Sequence, residues 1–284
     1  MPIKFDQVYF VYERKTPLEK GALRGIDLDI FEGTFTALVG RTGCGKSTLI
    51  QHLNALFVPT SGTVYIDDFI NSSNKKIRSK KTKPLRQSVG VVFQFPEYQL
   101  FEETVEKDVA FGPKNFGDKP DVALEKAHAA LAAVGLDETF YSRSPFELSG
   151  GEKRRVAIAG ILAMKPKYLV VDEPTAGLDP LGAKDIMNLF AAIHQEGTTV
   201  VLVTHDMDNV VEYCDNVIVL DHGKIARSCA AKDLFGVDMD QYSLQPPILF
   251  DFASKLAARG IPVDPHRLNS VEDLAKAVAE AKRR

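Results

Sequence analysis

The stretch LVGRTGCGKSTL, Leu38 to Leu49, sets three glycines, a lysine and the adjacent hydroxyls of Ser47 and Thr48 directly behind an apolar run. Its spacing, Gly40-x-x-x-x-Gly45-Lys46-Ser47, is that of a loop holding nucleotide phosphates between a strand and a helix. Each residue type has a physical task. Glycine lets the backbone curl, so that N–H groups of Gly40, Arg41, Thr42, Gly43, Cys44 and Gly45 turn toward phosphate oxygens. The helix that follows adds its positive end. Lys46 reaches the β- and γ-phosphates, and Ser47, with Thr48 beside it, is placed to ligate Mg2+. Cys44 serves through its backbone N–H. Its thiol offers an oxidation or alkylation site but is expected to be inert.

A second constellation, YLVVDEPTAGLD, ends an apolar run in two carboxylates. Asp172 at such a strand end can hold the water shell of Mg2+, and Glu173 can face the γ-phosphate and polarise an attacking water. VTHD ends the next apolar run and makes His205 a candidate γ-phosphate sensor. These parts alone fit a switch GTPase, a kinase or a motor. The discriminating stretch is ELSGGEKRR. Ser149, Gly150 and Gly151 open a helix with free N–H groups, and Glu152 fits a capping box with Ser149. That makes a second phosphate receptor in one chain. One γ-phosphate does not need both. A head-to-tail pair of chains, each loop closed by the neighbour's serine-glycine helix start, uses both.

The elements that must position these residues follow from periodicity. From Ile3 to about Phe95 the chain reads mostly as strands: KFDQVYFVY and LRGIDLDIF alternate as half-exposed antiparallel strands do, and FTALVG reads as a buried parallel strand. KSTLIQHLNALF places Leu49, Leu53 and Leu56 at helical spacing, and PTSG stops it. From about Pro96 to Met164 the reading is helical, with Leu124, Ala127, His128 and Leu131 on one face. From Lys167 to about Ile225, YLVVDEP, TTVVLVTHD and NVIVLDHGKI read as strands, separated by AKDIMNLFAAIHQEG and MDNVVEYC as helices. That alternation predicts a parallel sheet covered by helices. In the tail, Val271, Leu274, Ala275 and Val278 form a narrow apolar stripe, for packing on its own core or on a neighbour.

Composition narrows the class. A chain of 284 residues can bury one large core plus an appendage. Its net charge of −3 argues against a general nucleic-acid binder. The stretch NKKIRSKKTKPLR, Asn74 to Arg86, carries seven positive side chains and no acid, and reads either as a solvated loop or as a contact for anionic lipid or nucleotide. Three cysteines without CxxC spacing fit a reducing compartment. The first residues do not read as a signal peptide, and no run of 18 apolar residues exists, so work at a membrane would need a partner.

In combination these motifs resemble the ATP-binding cassette (ABC) ATPases, over about residues 3–228. Gly40 to Thr48 resembles Walker A, YLVVDE Walker B with Glu173 as catalytic carboxylate, and LSGGE the family signature. AGLD resembles the D-loop, with Asp179 crossing the dimer, and His205 the switch histidine. Gln94 in VVFQFPE is similar to the Q-loop glutamine that links γ-phosphate and Mg2+ to a helical subdomain. Tyr12 is similar to the aromatic that stacks on adenine. The fold this implies is α/β: a P-loop, RecA-like core with an antiparallel β subdomain, a helical subdomain at about 96–164 and a C-terminal helical extension at 229–284.

The stretches YERKTPLEKGALRGIDLDI, QHLNAL and FQFPEYQLFEETVEKDVAFGPKN narrow the resemblance to the second ATPase of energy-coupling factor (ECF) transporters and their cobalt and nickel relatives. The resemblance implies ATP and Mg2+ as cofactors, a second homologous ATPase, a transmembrane coupling subunit and a substrate-binding membrane subunit as partners, and no nucleic acid. It implies a peripheral place on the cytoplasmic face of the cell membrane and uptake of vitamins or other micronutrients. The alternatives are a cobalt, nickel or other ABC importer and a soluble ABC ATPase. Independently, Phe95, Tyr98, Leu100 and Phe101 beside Gln94 read either as a groove for a partner helix or as core. Truncation after about Ile225 is expected to weaken assembly and leave the nucleotide site intact.

Overall fold

The computed structural model describes residues 3–234, 239–265, 268 and 271–283, with the side chains of 271, 282 and 283 outside that description. β1 (Ile3–Tyr12) and β2 (Lys20–Ile30) pair antiparallel, with buried positions separated by exposed ones. β3 (Phe35–Val39) is buried at every position, as a strand covered on both faces must be. It leads through the phosphate loop into α1 (Lys46–Leu53). β4 (Ser61–Ile66) and β5 (Phe69–Ser72) complete an antiparallel sheet of order β2-β1-β4-β5.

α2 (Lys83–Ser88) and β6 (Val89–Val92) return the chain to the other sheet. A helical region follows: α3 (Val105–Phe116), α4 (Pro120–Ala133) and α5 (Gly150–Leu162). Then come β7 (Tyr168–Asp172), α6 (Pro180–Gln195), β8 (Thr199–Val203), α7 (Met207–Tyr213), β9 (Asn216–Asp221) and β10 (Lys224–Ala230). The sheet order is β10-β9-β3-β8-β7-β6, parallel throughout except at β10. Leu38 and Asp172 both pair with Val203. That register brings the ends of β3, β7 and β8 to one edge, where Gly40 and Glu173 begin their loops and His205 follows Thr204.

Several elements differ from the sequence reading. α1 stops at Leu53, before Leu56: Asn54 caps it and its side-chain oxygen accepts from the Leu56 N–H at 3.2 Å, leaving Leu56 exposed. α6 begins at Pro180, earlier than AKDIM, because Asp179 caps it. NVIVLDHGKI is not one strand but a hairpin, turned at His222 and Gly223, both at positive φ. In α4 the buried set is Ala123, Ala127, Ala130 and Leu131. His128 lies partly exposed, bonded to Glu106 at 2.9 Å and stacked on Tyr141. The basic stretch is a loop running into α2, with Lys75, Lys76, Lys80, Lys81 and Lys83 exposed.

After β10, α8 (Ala231–Leu234) still belongs to the main core. Ala231, Leu234, Met239 and Leu244 pack with Ala37, Val39, Val217 and Val219. The boundary at 228 falls inside β10, and a cut after Ile225 would remove side chains that pack behind β3 and β9. α9 (Ile248–Ala258) and α10 (Val271–Arg283) share a small separate cluster of Ala253, Val263 and Leu274, with Val278 against it. Of the expected stripe, Ala275 is exposed and the Val271 side chain lies outside the described residues. So do residues 235–238, 266, 267, 269, 270 and 284 of the expected extension.

Candidate nucleotide site

The phosphate loop is built where only glycine fits. Gly40 has φ 145° and a Cβ there would collide with the Leu220 carbonyl. Gly45 caps α1 at φ 113°, where a Cβ would lie 2.7 Å from the Ala22 carbonyl oxygen. The Lys46 ammonium folds back across the loop and donates to the carbonyls of Gly40 (2.6 Å) and Arg41 (3.3 Å). The Cys44 N–H, expected to face phosphate, instead donates to the Arg41 carbonyl at 3.2 Å, because Gly43 at φ 80° closes a tight turn there. The Cys44 thiol is buried, and burial pushes its pKa up. That favours the unreactive thiol over the thiolate.

Across the cleft the Ser47 hydroxyl lies 3.5 Å from the Asp172 carboxylate. Burial pushes the Asp172 carboxyl up and the Glu173 charge adds to this, while Lys46 and Ser47 pull it back. A half-buried carboxyl held this way gains from a cation beside it. A hydroxyl, one carboxylate and the Gln94 amide are hard oxygen donors that fit Mg2+, which keeps several waters and takes few protein ligands. Among the described residues there is no cluster of three or more His, Cys, Asp or Glu able to form a softer metal cage.

Glu173 sits at φ 48°, a left-handed conformation that costs a non-glycine residue of order 1–3 kcal/mol. Its N–H is pinned to the Val203 carbonyl at 2.9 Å, and both its carboxylate oxygens lie 2.9 Å from His205 Nδ1. The pair can orient a water and bind or release a proton between them. On the other wall the Tyr12 hydroxyl meets that of Thr48 at 2.8 Å, and the ring stands nearly perpendicular to Phe10 and Phe57.

One cleft of about 690 Å³ collects Tyr12, Thr42, Gly43, Gly45, Lys46, Ser47, Thr48, Gln94, Asp172, Glu173 and His205. Glu13, Leu18, Lys20, Gly21 and Ala22 also line it. The sequence reading missed these; their only signal is a charged turn between two alternating strands. Of the predicted site residues, Gly40, Arg41, Cys44, Ser149, Gly150, Gly151, Glu152 and Asp179 do not line the cleft. Ser149 and Glu152 form the capping box, with the Ser149 N–H donating to Glu152 at 2.7 Å, so the Ser149 amide is not free. The exposed donors of that helix start are Gly150 and Gly151, which face open space. Asp179 accepts from the Gly182 N–H at 2.8 Å as the cap of α6.

A P-loop after a central strand of a largely parallel sheet, an acid pair at the end of β7 two strands away, and a second exposed glycine-rich helix start outside the cleft define a P-loop ATPase. A model of the ABC transporter family matches residues 23–176. The energy-coupling factor transporter ATP-binding protein EcfA2 of Enterococcus faecalis is 50% identical over 287 residues, covering 99% of each chain. The EcfA2 of Streptococcus pneumoniae is 51% identical over 263 residues, 92% of this chain and 94% of its own. Among solved structures, cbiO1 of Clostridium perfringens, described as part of the ABC transporter complex cbiONQ, superposes with a TM-score of 0.73 at 36% identity, covering 90% of this chain and 94% of that one. The ATP-binding cassette MJ0796, a dimer in a post-hydrolysis state with ADP and Pi, gives 0.69 at 30% identity, covering 81% and 98%. The chain belongs to the ABC transporter ATPases, among the ATP-binding subunits of the energy-coupling factor type.

Proposed function

We propose that this chain binds ATP with Mg2+ and hydrolyses it as one member of an ATPase pair that powers an energy-coupling factor importer of vitamins or other micronutrients. The single observation that carries the paired reading is the separation within the chain: Ser149, Gly150 and Gly151 stay outside the cleft that holds Lys46 and Glu173. A neighbour's helix start must complete that cleft. Relatives named as ECF subunits, a neighbour from cbiONQ and a dimeric cassette support the same reading.

In this reading Tyr12 stacks on adenine, Thr42, Gly43 and Gly45 of the loop with Lys46 and Thr48 hold the phosphates, and the partner's Asp179 equivalent crosses to the same site. Ser47, Asp172 and Gln94 would hold Mg2+, which supplies charge neutralisation between the β- and γ-phosphate oxygens. Glu173 polarises the attacking water, and His205 orients Glu173 and senses the γ-phosphate.

No helix among the described residues is long and apolar enough to cross a membrane. Transport therefore acts through partners: a second ATPase, a transmembrane coupling subunit and a substrate-binding subunit, which hold the chain at the cytoplasmic face. Residues 96–164 act as the helical subdomain and the segment after Leu244 as an assembly extension. Of the apolar residues after Gln94, Leu100 is buried, whereas Tyr98 is 84% and Phe101 55% exposed, a surface suited to a partner helix. Copurification tests the whole: tagged chain should come out of membranes with an integral partner. Wholly soluble protein bringing down ribosomes or DNA would overturn the reading.

A further inference from the structure

One guanidinium lies between every moving part of the proposed clamp. Arg154, one turn into α5 from Ser149, is only 4% exposed. It grips Glu97 with two parallel bonds of 3.1 and 2.9 Å. Its third nitrogen donates to the carbonyls of Pro174 (3.2 Å) and Ala176 (2.9 Å). Its charge lies 5.8 Å from the Phe95 ring centroid. Phe95 itself is held at φ 55° and caps the short 3₁₀ turn Pro96–Gln99 that carries Glu97. Gly177 packs against the same ring: a Cβ there would lie 3.5 Å from it.

The three segments so joined have different addresses. Glu97 follows Gln94, which lines the chain's own cleft. Pro174 and Ala176 lie between Glu173, in that cleft, and Asp179, outside it. α5 begins with the serine-glycine start that lies outside the cleft.

We propose that Arg154 is a positioning residue that makes the two ATP sites of a pair report to each other; the proposal rests on the paired reading above. A shift of Gln94 at the chain's own site moves Glu97. Glu97 moves Arg154, and Arg154 moves the helix start that closes the partner's site together with the loop leading to Asp179. Arginine suits this task because its planar fork makes four directed bonds from one side chain, which lysine cannot. Breaking a buried pair strands its charge, so the link transmits displacement rather than absorbing it.

The test uses the membrane complex assembled with full-length chain, with Arg154→Gln, the milder Arg154→Lys, Glu97→Gln and the double variant Arg154→Gln/Glu97→Gln. Fluorescent ATP analogue binding to the isolated chain should stay within about twofold of wild type. Turnover in the complex should fall about tenfold, within the usual range of coupling between sites, and the Hill coefficient for ATP should drop from near 2 toward 1. The double variant should be no worse than Arg154→Gln alone, since both break one link. Wild-type turnover and sigmoidicity in Arg154→Lys and Glu97→Gln would overturn the proposal. So would losses that track lower melting temperature and lost nucleotide binding, or additive effects in the double variant. A hyperbolic ATP response in the wild type would remove the paired reading, and the proposal with it. A sigmoidal wild type with unchanged variants would remove the proposal alone.

Discussion

α1 and α5 both begin with glycines and a hydroxyl, yet they meet solvent in opposite ways. α1 has no side-chain cap and no acid in its first turn, and it opens into a cleft beside Lys46. α5 is capped at both ends of its box, Ser149 to Glu152 and back, and sits on open surface. The α1 start leaves its N–H groups without a side-chain acceptor, whereas the α5 start carries its own. In the proposed reading, the α1 start recruits the nucleotide and the α5 start answers it from the partner. It also differs behind the helices: α1 is backed by His52, neutral and buried, with Nδ1–H on the Thr48 carbonyl at 2.7 Å, and α5 by the charged Arg154.

The comparison can be broken or sharpened in order of effect. Glu173→Gln should keep ATP binding and cut phosphate release about 10²–10⁴-fold, the usual contribution of a positioned base, while trapping the closed pair. Retained turnover would strip Glu173 of its role at the α1 end. Next comes acid sensitivity. Burial lowers the His52 pKa to about 4 from 6.5, so its contribution is complete above pH 6.5 and is lost as pH falls through about 4. The shift corresponds to about 3 kcal/mol. Denaturant melts across that window should show a steeper loss in wild type than in His52→Leu; parallel curves would contradict it.

Lys46→Ala removes charge-assisted bonds worth about 1.5–3 kcal/mol each to a bound phosphate, so the isolated chain should lose ATP affinity in calorimetry. Ser149→Ala should leave that affinity unchanged, cost about 1 kcal/mol of cap stability in melts, and weaken ATP-driven pairing in light scattering. If Ser149→Ala lowers affinity in the isolated chain as Lys46→Ala does, the two helix starts are not separate receptors.

The local chemistry was legible where neighbours in sequence are neighbours in space. The phosphate loop, the Asp172–Glu173 step and the Ser149–Glu152 box are all set by residues within a few positions of one another. What was not legible depended on capping or on distance. The end of α1 turned on the Asn54 side chain, and the start of α6 on Asp179, a residue read only for a role across the pair. Arg154 was invisible because its partner Glu97 lies 57 positions away. The His222–Gly223 turn was missed although Asp221 and Gly223 mark it, because the apolar residues on both sides were read as one strand.

That turn has a consequence for how the molecule is made. The Gly223 N–H donates to the Cys44 carbonyl at 3.0 Å, and its carbonyl accepts from Arg24 at 2.8 Å. The floor beneath the phosphate loop thus belongs to a hairpin synthesised long after the loop itself. Such distant pairings form late and slowly. A loop braced this way is expected to reach its nucleotide-ready shape only after β9 and β10 have been made. Low ATP affinity in stalled chains ending before Asn216, and full affinity in chains released past Leu244, would be the mark of that schedule.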